Sequence, residues 1–299
     1  MEPKEIYEQV NKRYGSIVKS SAGQYEQVVA KAFGYTEKEL AGVLEGANLG
    51  LSCGNPIALA GLREGETIID LGSGAGFDVF TAAKRVGPTG KAIGVDMNKN
   101  MIETANTNKA HTEASNVQFI EGAITSIPLP DNTADCIISN CVINLVPAAD
   151  KQLAFNEMFR LLKPGGRVTI SDILELTEEM RKNVALYVGC VAGASQVSEY
   201  EAFFKNAGFN GVLIVDSKND LNVYCTAAEA KPSTEAKESC CKPEEKESCC
   251  GTDSSTCACQ NQTSSMAGEA KTLATRLGIT DLNEWAGSFQ MYAVKPVAN

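Results

Sequence analysis

Five short apolar segments alternate with longer stretches of helical periodicity over residues 67–171 of this 299-residue chain. The segments are Thr67–Leu71, Ala92–Val95, Val117–Ile120, Cys136–Ser139 and Val168–Ser171, and helices are predicted near residues 76–86, 98–112, 150–162 and 176–189. Parallel strands need long crossover connections, which are usually helices. The alternation therefore predicts an α/β fold with a largely parallel sheet.

The regions on either side of this unit show different patterns. Residues 1–50 carry apolar side chains at helical spacing and predict an N-terminal helical cap. The segments Val212–Asp216 and Asn222–Thr226 are interpreted as a terminal antiparallel pair or as two separate edge strands. Residues 228–268 hold almost no aliphatic side chains. They cannot bury enough apolar area to offset chain entropy, so we expect a flexible segment.

Structure is expected to resume near Glu269, with a helix through Arg276 and a strand over Phe289–Val294. The alternation in that strand suggests that it returns to the sheet edge. The predicted organisation is a helical cap at residues 1–60, an α/β domain at 61–227, a cysteine-rich flexible segment at 228–268, and a small C-terminal extension with a helix and an edge strand at 269–299.

Charge and composition exclude several classes of function. The chain has 37 acidic and 27 basic residues, and its net charge of −10 repels polyanions, so we expect no nucleic-acid partner. No apolar run is long enough to span a bilayer, and the N-terminus lacks a signal pattern, so we expect a cytoplasmic protein with no membrane partner. The chain has a single histidine, His111, and this argues against histidine-based metal sites and nucleophile triads. His111 is predicted to face solvent.

The first predicted strand runs directly into a glycine-rich turn, Asp70-Leu71-Gly72-Ser73-Gly74-Ala75-Gly76. Its G-x-G-x-G spacing differs from that of dinucleotide-binding loops, and a carboxylate at Asp70 would oppose a diphosphate. The carboxylate suits a cationic ligand instead, such as the ammonium group of an amino-acid-bearing cofactor. Asp96 ends the second predicted strand, where a carboxylate can accept hydrogen bonds from ribose hydroxyls. Simple turn glycines and an NAD site are the less favoured alternatives.

These residues resemble the signature of the class I S-adenosylmethionine-dependent methyltransferases over about residues 60–215. The resemblance implies a Rossmann-like, mostly parallel seven-stranded sheet with helices on both faces, and S-adenosylmethionine as the cofactor. It also implies that the loop after the third strand borders the adenine and that Asn140 lies near the reacting methyl group. The cofactor-binding residues that it implies are Asp70, Gly72, Ser73, Gly74, Gly76, Asp96, Met97, Ala123, Ile124 and Asn140.

Eleven cysteines are many for a chain without a secretion signal. Cys141 stands at the carboxyl end of the fourth predicted strand, where open α/β sheets bind ligands. Cys53 and Cys190 lie in loop-like sequences beside glycine. Thiolates are soft donors, and three of them suit a trigonal-pyramidal thiophilic centre. Packing in the core is the alternative for each thiol, and Cys136 and Cys225 are interpreted as packing residues.

The sequences around Cys53, Cys141 and Cys190, with the segment Ser139–Leu145, resemble those of the arsenite S-adenosylmethionine methyltransferases. The resemblance implies that these three thiolates bind trivalent arsenic and act in catalysis, and that arsenite or its thiol conjugates are the substrate. It further implies arsenic detoxification, and a thiol reductant, glutathione or thioredoxin, as the electron source. The arsenite-binding region is expected from about residue 173. Some family members carry another cysteine nearer the N-terminus; here none precedes Cys53, so the resemblance does not extend to a four-cysteine relay.

Six further cysteines lie in the predicted flexible segment, as two adjacent pairs and a C-x-C sequence. Vicinal thiols could capture arsenite or a soft metal and pass it inward by ligand exchange, and similar pairs occur near the C-terminus of other family members. The candidate delivery residues are Cys240, Cys241, Cys249 and Cys250. Incidental metal storage and lack of function are the alternatives. A zinc site is disfavoured because the spacings are not those of C-x₂-C pairs.

Two other functions stay open on the sequence alone. The chain could methylate a small organic acceptor, such as a quinone, a sterol or a thiol, with the cysteines uninvolved. It could also be an arsenite-binding sensor or buffer that does not catalyse, although the intact glycine turn and Asp96 argue against this. We expect a monomer, with thioredoxin as a candidate protein partner.

Overall fold

A computed structural model of the chain describes residues 2–17, 24–41, 43–44, 46–174, 193–227 and 278–297. The strands in these residues are β1 (Thr67–Leu71), β2 (Lys91–Asp96), β3 (Val117–Glu121), β4 (Ala134–Asn140), β5 (Leu162–Leu174), β6 (Asn210–Asp216) and β7 (Gly287–Val294). They form one seven-stranded sheet in the order β3-β2-β1-β4-β5-β7-β6. The first five strands pair in parallel, and β7 runs antiparallel to both β5 and β6.

Helices precede the sheet and connect its strands. They are α1 (Pro3–Ile17), α2 (Gln24–Ala32), α3 (Glu37–Ala41), α4 (Pro56–Ala60), α5 (Phe77–Val86), α6 (Lys99–Ala110), α7 (Lys151–Leu161), α8 (Val197–Ala207) and α9 (Val223–Thr226). Two 3₁₀ turns lie at Ile143–Leu145 and Leu282–Glu284. The predicted N-terminal helical region is confirmed by α1–α3. The predicted helices at 176–189 and 269–276 lie outside the described residues.

Helices cover both faces of the sheet, and successive strand residues point to opposite faces. On one face Ile68 belongs to a cluster with Val79 of α5, whereas the adjacent Ile69 belongs to the cluster on the other face, with Phe155 of α7 and Phe204 of α8. All five are almost fully buried. Burying such a side chain contributes roughly 1.5–3 kcal/mol, so the two faces together hold the sheet between its helices.

The five strands predicted from the apolar segments are confirmed, and most are extended by a few residues. The helix predicted near residues 150–162 is confirmed by α7, which ends at Leu161. The Pro164-Gly165-Gly166 sequence lies within β5, and its pairing with β4 shifts register between Ala134 and Cys136. The proline and glycines therefore mark an irregularity at the start of the strand.

The predicted strand at Asn222–Thr226 is wrong, because Val223–Thr226 form the short helix α9. The turn begins where Asp220 Oδ1 accepts a hydrogen bond from the Asn222 N–H at 2.9 Å. Tyr224 packs on Phe33 of the N-terminal region with ring centroids 5.2 Å apart. The apolar residues of this segment are therefore buried against the helical cap. Cys225 lies in this helix, and its packing role stays a prediction.

The C-terminal strand β7 returns to the sheet, but its predicted place at the edge is wrong: it lies between β5 and β6. The physical reason is burial, because Met291 and Ala293 are completely buried in the main core. The edge strand on this side of the sheet is β6, where Leu213 and Val215 are 53% and 45% exposed. An interior position satisfies the backbone of β7 on both sides.

His111 lies exposed after the C-terminal end of α6, as predicted, with its Nδ1 2.8 Å from the carbonyl oxygen of Thr107. Within the described ranges, no helix has both the length and the apolar character needed to cross a bilayer. The predicted boundaries of the cap, the α/β domain and the cysteine-rich segment stay predictions.

Candidate active site

The turn after β1 brings backbone atoms to the carboxyl edge of the sheet. Gly72 has a φ of +73°, and a Cβ there would lie 2.2 Å from Val142 Cγ2, so a side chain does not fit. Gly74 has a φ of +52°, and no neighbouring atom lies within 4 Å of where its Cβ would be. This side of the turn therefore faces open space in which a ligand can approach the backbone.

Asp96 is fixed beside the turn by two backbone hydrogen bonds. Its Oδ2 accepts from the Gly74 N–H at 2.9 Å, and its Oδ1 accepts from the Asn98 N–H at 2.8 Å. Burial raises the pKa of Asp96, and the two hydrogen bonds oppose that rise. Because a carboxylate offers about four acceptor positions, two remain for a ligand. The arrangement suits a pair of hydroxyl groups such as those of a ribose.

Asp70 is buried just before the turn, in surroundings that favour a cation. Burial, together with the negative charges of Asp78 and Asp96, raises the pKa of Asp70 well above its ordinary value. Among the described residues, no lysine or arginine forms an ion pair with it. A positively charged group nearby would lower this electrostatic cost. The environment therefore fits the predicted role of Asp70 toward an ammonium group.

A cleft of about 800 Å³, including its open mouth, lies at this edge of the sheet. The predicted cofactor residues that line it are Gly72, Gly74, Asp96, Met97, Ala123, Ile124 and Asn140. Asp70, Ser73 and Gly76 are not among its lining residues: Ser73 Oγ faces Gly94, and Gly76 is the N-cap of α5. The roles of these three stay predictions.

One face of α1 also lines the cleft, which the sequence interpretation missed; its residues are Tyr7, Val10, Asn11 and Tyr14. The helix is held there by hydrogen bonds from Tyr7 Oη to Asp150 Oδ2 at 3.0 Å and from Asn98 Nδ2 to the Asn11 carbonyl at 2.7 Å. Burial and Asp150 raise the pKa of Tyr7 to about 12. The sequence did contain a signal for this face, because these four residues recur at the 3-, 4- and 7-residue spacing of one helix face.

Cys53 and Cys141 meet beside the cleft, and their sulfurs form a disulfide with the Cα atoms 5.8 Å apart. Cys53 is completely buried and Cys141 is 5% exposed. Cys141, which also lines the cleft, has a φ of +58°. This conformation costs a non-glycine residue roughly 1–2 kcal/mol, and such strain is concentrated at functional sites. The structure thus brings two of the three predicted thiols together beside the cleft.

The other cysteines divide into two groups. Cys190 and the candidate delivery residues Cys240, Cys241, Cys249 and Cys250 lie outside the described residues. Cys136 is free and completely buried in β4. Burial raises the pKa of Cys136 to about 12, so its reactive thiolate is scarce at neutral pH. The interpretation of Cys136 as a packing residue agrees with this environment.

Asp172 of β5 lies close to the disulfide and was missed in the sequence. One of its carboxylate oxygens lies within 4.8 Å of both sulfurs. Its Oδ2 accepts hydrogen bonds from Tyr200 Oη at 2.9 Å and from the Asn144 N–H at 3.2 Å. Burial raises the pKa of Asp172 to about 6, against the opposing charge of Lys151. The sequence held a signal for Asp172, because it is an acidic residue in an otherwise uncharged strand segment.

Asn140 lines the cleft and also contacts the loop that carries Cys53. Its Oδ1 accepts from the Cys53 N–H at 3.2 Å, and its Nδ2 donates to the Gly54 carbonyl at 3.0 Å. The same Nδ2 lies 3.0 Å from Tyr35 Oη, which donates to Asp78 Oδ1 at 2.7 Å. Burial raises the pKa of Asp78 to about 6. Asn140 therefore lies where the predicted methyl site and the thiols adjoin.

Comparison with known proteins identifies the family. A family model described as a methyltransferase domain matches residues 62–208. An arsenite methyltransferase from Halobacterium salinarum is 38% identical over an alignment that covers 79% of this chain and 68% of that protein. The chain belongs to the arsenite methyltransferase family. The family predicted from the glycine turn and the cysteine contexts is thereby confirmed.

Other relatives agree with this family and with the class I fold. An arsenite methyltransferase from Rattus norvegicus is 34% identical over 222 residues, 69% of this chain but only 59% of that protein. The crystal structure of an arsenic(III) S-adenosylmethionine methyltransferase from Chlamydomonas reinhardtii superposes with a TM-score of 0.52 at 24% identity, covering 90% of this chain and 73% of that one. Phosphoethanolamine N-methyltransferase 2 from Haemonchus contortus, in complex with S-adenosylmethionine, gives 0.61 at 18% identity, covering 91% and 56%. The predicted class I methyltransferase fold is confirmed.

Proposed function

We propose that the chain transfers methyl groups from S-adenosylmethionine to trivalent arsenic held by cysteine thiolates, as part of arsenic detoxification. The observation that carries this proposal is the position of Cys141, which lines the same cleft as Gly72 and Asp96 and is bonded to Cys53. A thiol pair beside a methyl-donor site suits a thiophilic acceptor. The family name of the relative from Halobacterium salinarum agrees with this acceptor.

The cleft residues fit S-adenosylmethionine by their chemistry. Asp96 has acceptor positions left for the ribose hydroxyls. Asp70 is buried behind the cleft lining and would interact with the ammonium group through its charge. Ala123 and Ile124 would border the adenine, and Asn140 would border the methionine end. When bound, this cofactor supplies an electrophilic methyl group.

The thiols would hold the acceptor in place. Reduced Cys53 and Cys141, with Cys190 as the proposed third ligand, would bind arsenic through three sulfurs and leave its lone pair free to attack the methyl carbon. Such a reaction needs no general base, which agrees with a single histidine exposed at the end of α6. Alignment of the reacting atoms can supply roughly 7–11 kcal/mol of the barrier, and it would be the main task of these residues.

The thiols would also supply electrons. The arsenic lone pair would form the new bond to the methyl carbon as the donor sulfur leaves with the electrons of its own bond, so arsenic would become formally pentavalent. Cys53 and Cys141 can each give one electron, which returns arsenic to the trivalent state and forms the disulfide found between them. Glutathione or thioredoxin would then reduce this disulfide before the next turnover. We propose that this cycle runs in the cytoplasm, in a monomer.

The direct test is incubation of the protein with arsenite, methyl-labelled S-adenosylmethionine and a thiol reductant, followed by separation of the arsenic species. We expect label in methylated arsenic, with turnover that stops when the reductant is omitted. Label in a quinone, a sterol or a small thiol, independent of arsenite, would support an organic acceptor instead. Arsenite binding without any S-adenosylmethionine binding would support a sensor.

A further inference from the structure

Side chains from two distant parts of the chain hold the backbone of Cys53. Its N–H donates to Asn140 Oδ1 at 3.2 Å, and its carbonyl oxygen accepts from Ser288 Oγ at 2.7 Å. Cys53 is completely buried and Ser288 is 1% exposed. Buried backbone groups depend on such partners because water cannot replace them. The direction in which the Cys53 side chain leaves the backbone therefore depends on both contacts.

Ser288 reaches this position because of the unexpected place of β7 in the sheet. In the antiparallel pairing of β5 and β7, Ser288 lies opposite Ile173. The first residues of β7 therefore stand at the carboxyl end of β5, beside the thiol pair. A strand that follows the cysteine-rich segment in sequence thus contributes a contact to a cysteine 235 residues earlier.

Ser288 belongs to a small cluster of polar side chains beside Cys53. Ser217 Oγ donates its hydrogen to the Ser288 carbonyl at 2.7 Å. Asn219 Nδ2 donates to Ser288 Oγ at 3.2 Å, so that oxygen already acts as an acceptor. Ser288 Oγ also lies 2.8 Å from Ser217 Oγ. In the contact with Cys53, Ser288 is the donor, because a carbonyl oxygen only accepts. The hydrogen bond to Cys53 therefore comes from Ser288, whereas the contacts given for Ser217 in this cluster are to Ser288 and Asn219.

We propose that Ser288 is a positioning residue for arsenic binding, which holds the Cys53 backbone so that its sulfur and that of Cys141 can chelate one arsenic atom. The inference rests on the proposed function. When two sulfurs bind one atom, the affinity depends on their effective concentration, which falls when one of them is loosened. Asn140 holds the opposite side of Cys53 but also lines the cofactor cleft, whereas Ser288 is not among the cleft-lining residues. Ser288 therefore allows the thiol site to be perturbed alone.

The test is Ser288→Ala in the full-length, reduced protein, with arsenite as the probe. We expect the Kd for arsenite and its KM to rise about 3- to 10-fold, because a buried hydrogen bond is lost, while the Kd for S-adenosylmethionine stays within about twofold. Ser217→Ala is the matched control, since it removes a hydroxyl from the same cluster that has no hydrogen bond to Cys53. Its arsenite affinity should stay within about twofold of the wild type.

A second measurement tests positioning without arsenic: the rate at which iodoacetamide alkylates Cys53 in the reduced protein, read by mass spectrometry. The rate should rise at least about threefold in Ser288→Ala, since a loosened loop exposes a buried thiol, and should not change in Ser217→Ala. Equal arsenite affinity and equal alkylation in Ser288→Ala and the wild type would overturn the inference, as would the same loss in Ser217→Ala. If the wild type binds no arsenite while the alkylation difference is found, the proposed function fails and the positioning of Cys53 by Ser288 stands.

Discussion

The candidate active site has two halves, the cleft and the thiol pair beside it, and they are built in different ways. The cofactor half comes mostly from neighbouring sequence, in which β1 runs through the glycine turn into α5 and Asp96 follows at the end of the next strand. The thiol half is assembled from Cys53 before β1, Cys141 after β4 and Ser288 in β7. Local backbone geometry fixes the first half, whereas long-range packing fixes the second. Substitutions should therefore separate cofactor binding from arsenic chemistry.

The largest separation is expected from Cys141→Ser. This change removes a proposed arsenic ligand and one partner of the disulfide. We expect methylation of arsenite to fall by at least about 100-fold, since both alignment and electron supply are lost, while the Kd for S-adenosylmethionine stays within about twofold. The measurements are labelled methyl transfer with a thiol reductant and calorimetry with the cofactor.

Cys136→Ala is the control for Cys141→Ser, because Cys136 is a buried, free thiol of the preceding strand β4. It should lower stability modestly and leave methylation of arsenite near the wild-type rate. Near-normal methylation in Cys141→Ser would remove the chemical basis for assigning the thiol half of the site to arsenic.

The opposite separation is expected from Asp96→Asn. An asparagine amide replaces one acceptor oxygen by an NH₂ group that faces the Gly74 or Asn98 N–H. It also removes the carboxylate that would accept hydrogen bonds from the ribose hydroxyls. We expect S-adenosylmethionine to bind roughly 10- to 100-fold more weakly, while arsenite binding to the reduced protein stays within about twofold. Glu121→Gln is the control, since Glu121 pairs with Asp96 in the sheet but is exposed. Coupled losses of both ligands in Asp96→Asn would contradict two separable halves.

The contrast between the halves also explains what the sequence could predict. A glycine turn between a strand and a helix is a local pattern, so its geometry at Gly72 and Gly74 and the place of Asp96 followed from a few adjacent residues. Cys53 and Cys141 were predicted through a resemblance, and the structure brings them together. Ser288 could not be predicted as a neighbour of Cys53, because no local pattern specifies a contact over 235 residues.

The fold shows the same limit in two places. The segment Asn222–Thr226 has strand-like composition, but the turn at Asp220 and the cap surface around Phe33 favour a helix. The strand β7 was predicted from its alternation, but its place depends on which edges of β5 and β6 are free to pair with it. Tertiary packing decided both, and propensity alone could not.

A smaller effect is expected at Asp78, which lies between the two halves through Tyr35 and Asn140. Burial raises the pKa of Asp78 to about 6, above its ordinary value of 3.8. The folded protein therefore binds this proton more tightly than the unfolded chain, and the free energy of unfolding falls as pH rises from about 4 to about 6. Asp78→Asn should reduce that fall by about 1–3 kcal/mol.

The measurement for Asp78→Asn is chemical denaturation at several pH values between about 4 and 7. Asp172, whose pKa is raised in the same direction by burial, keeps part of the pH dependence in the variant. Glu113→Gln, at an exposed position, is the control, and its free energy of unfolding should depend on pH as in the wild type. If the free energy of unfolding of Asp78→Asn falls with pH as steeply as that of the wild type, the carboxyl group is hydrated in solution and does not connect the halves.

The smallest effect is expected at Tyr7 of α1, which lines the cofactor half without being local to it. Tyr7→Phe removes the hydrogen bond to Asp150 that helps to hold the helix over the cleft. We expect S-adenosylmethionine to bind about 2- to 5-fold more weakly, mainly through faster dissociation, and arsenite binding to stay unchanged. The double variant Tyr7→Phe/Asp150→Ala completes a cycle: if the bond is the cause, it should bind no more weakly than Asp150→Ala alone. Additive losses would instead mean that Tyr7 contacts the cofactor directly, so that the cofactor half, like the thiol half, depends on a distant part of the chain.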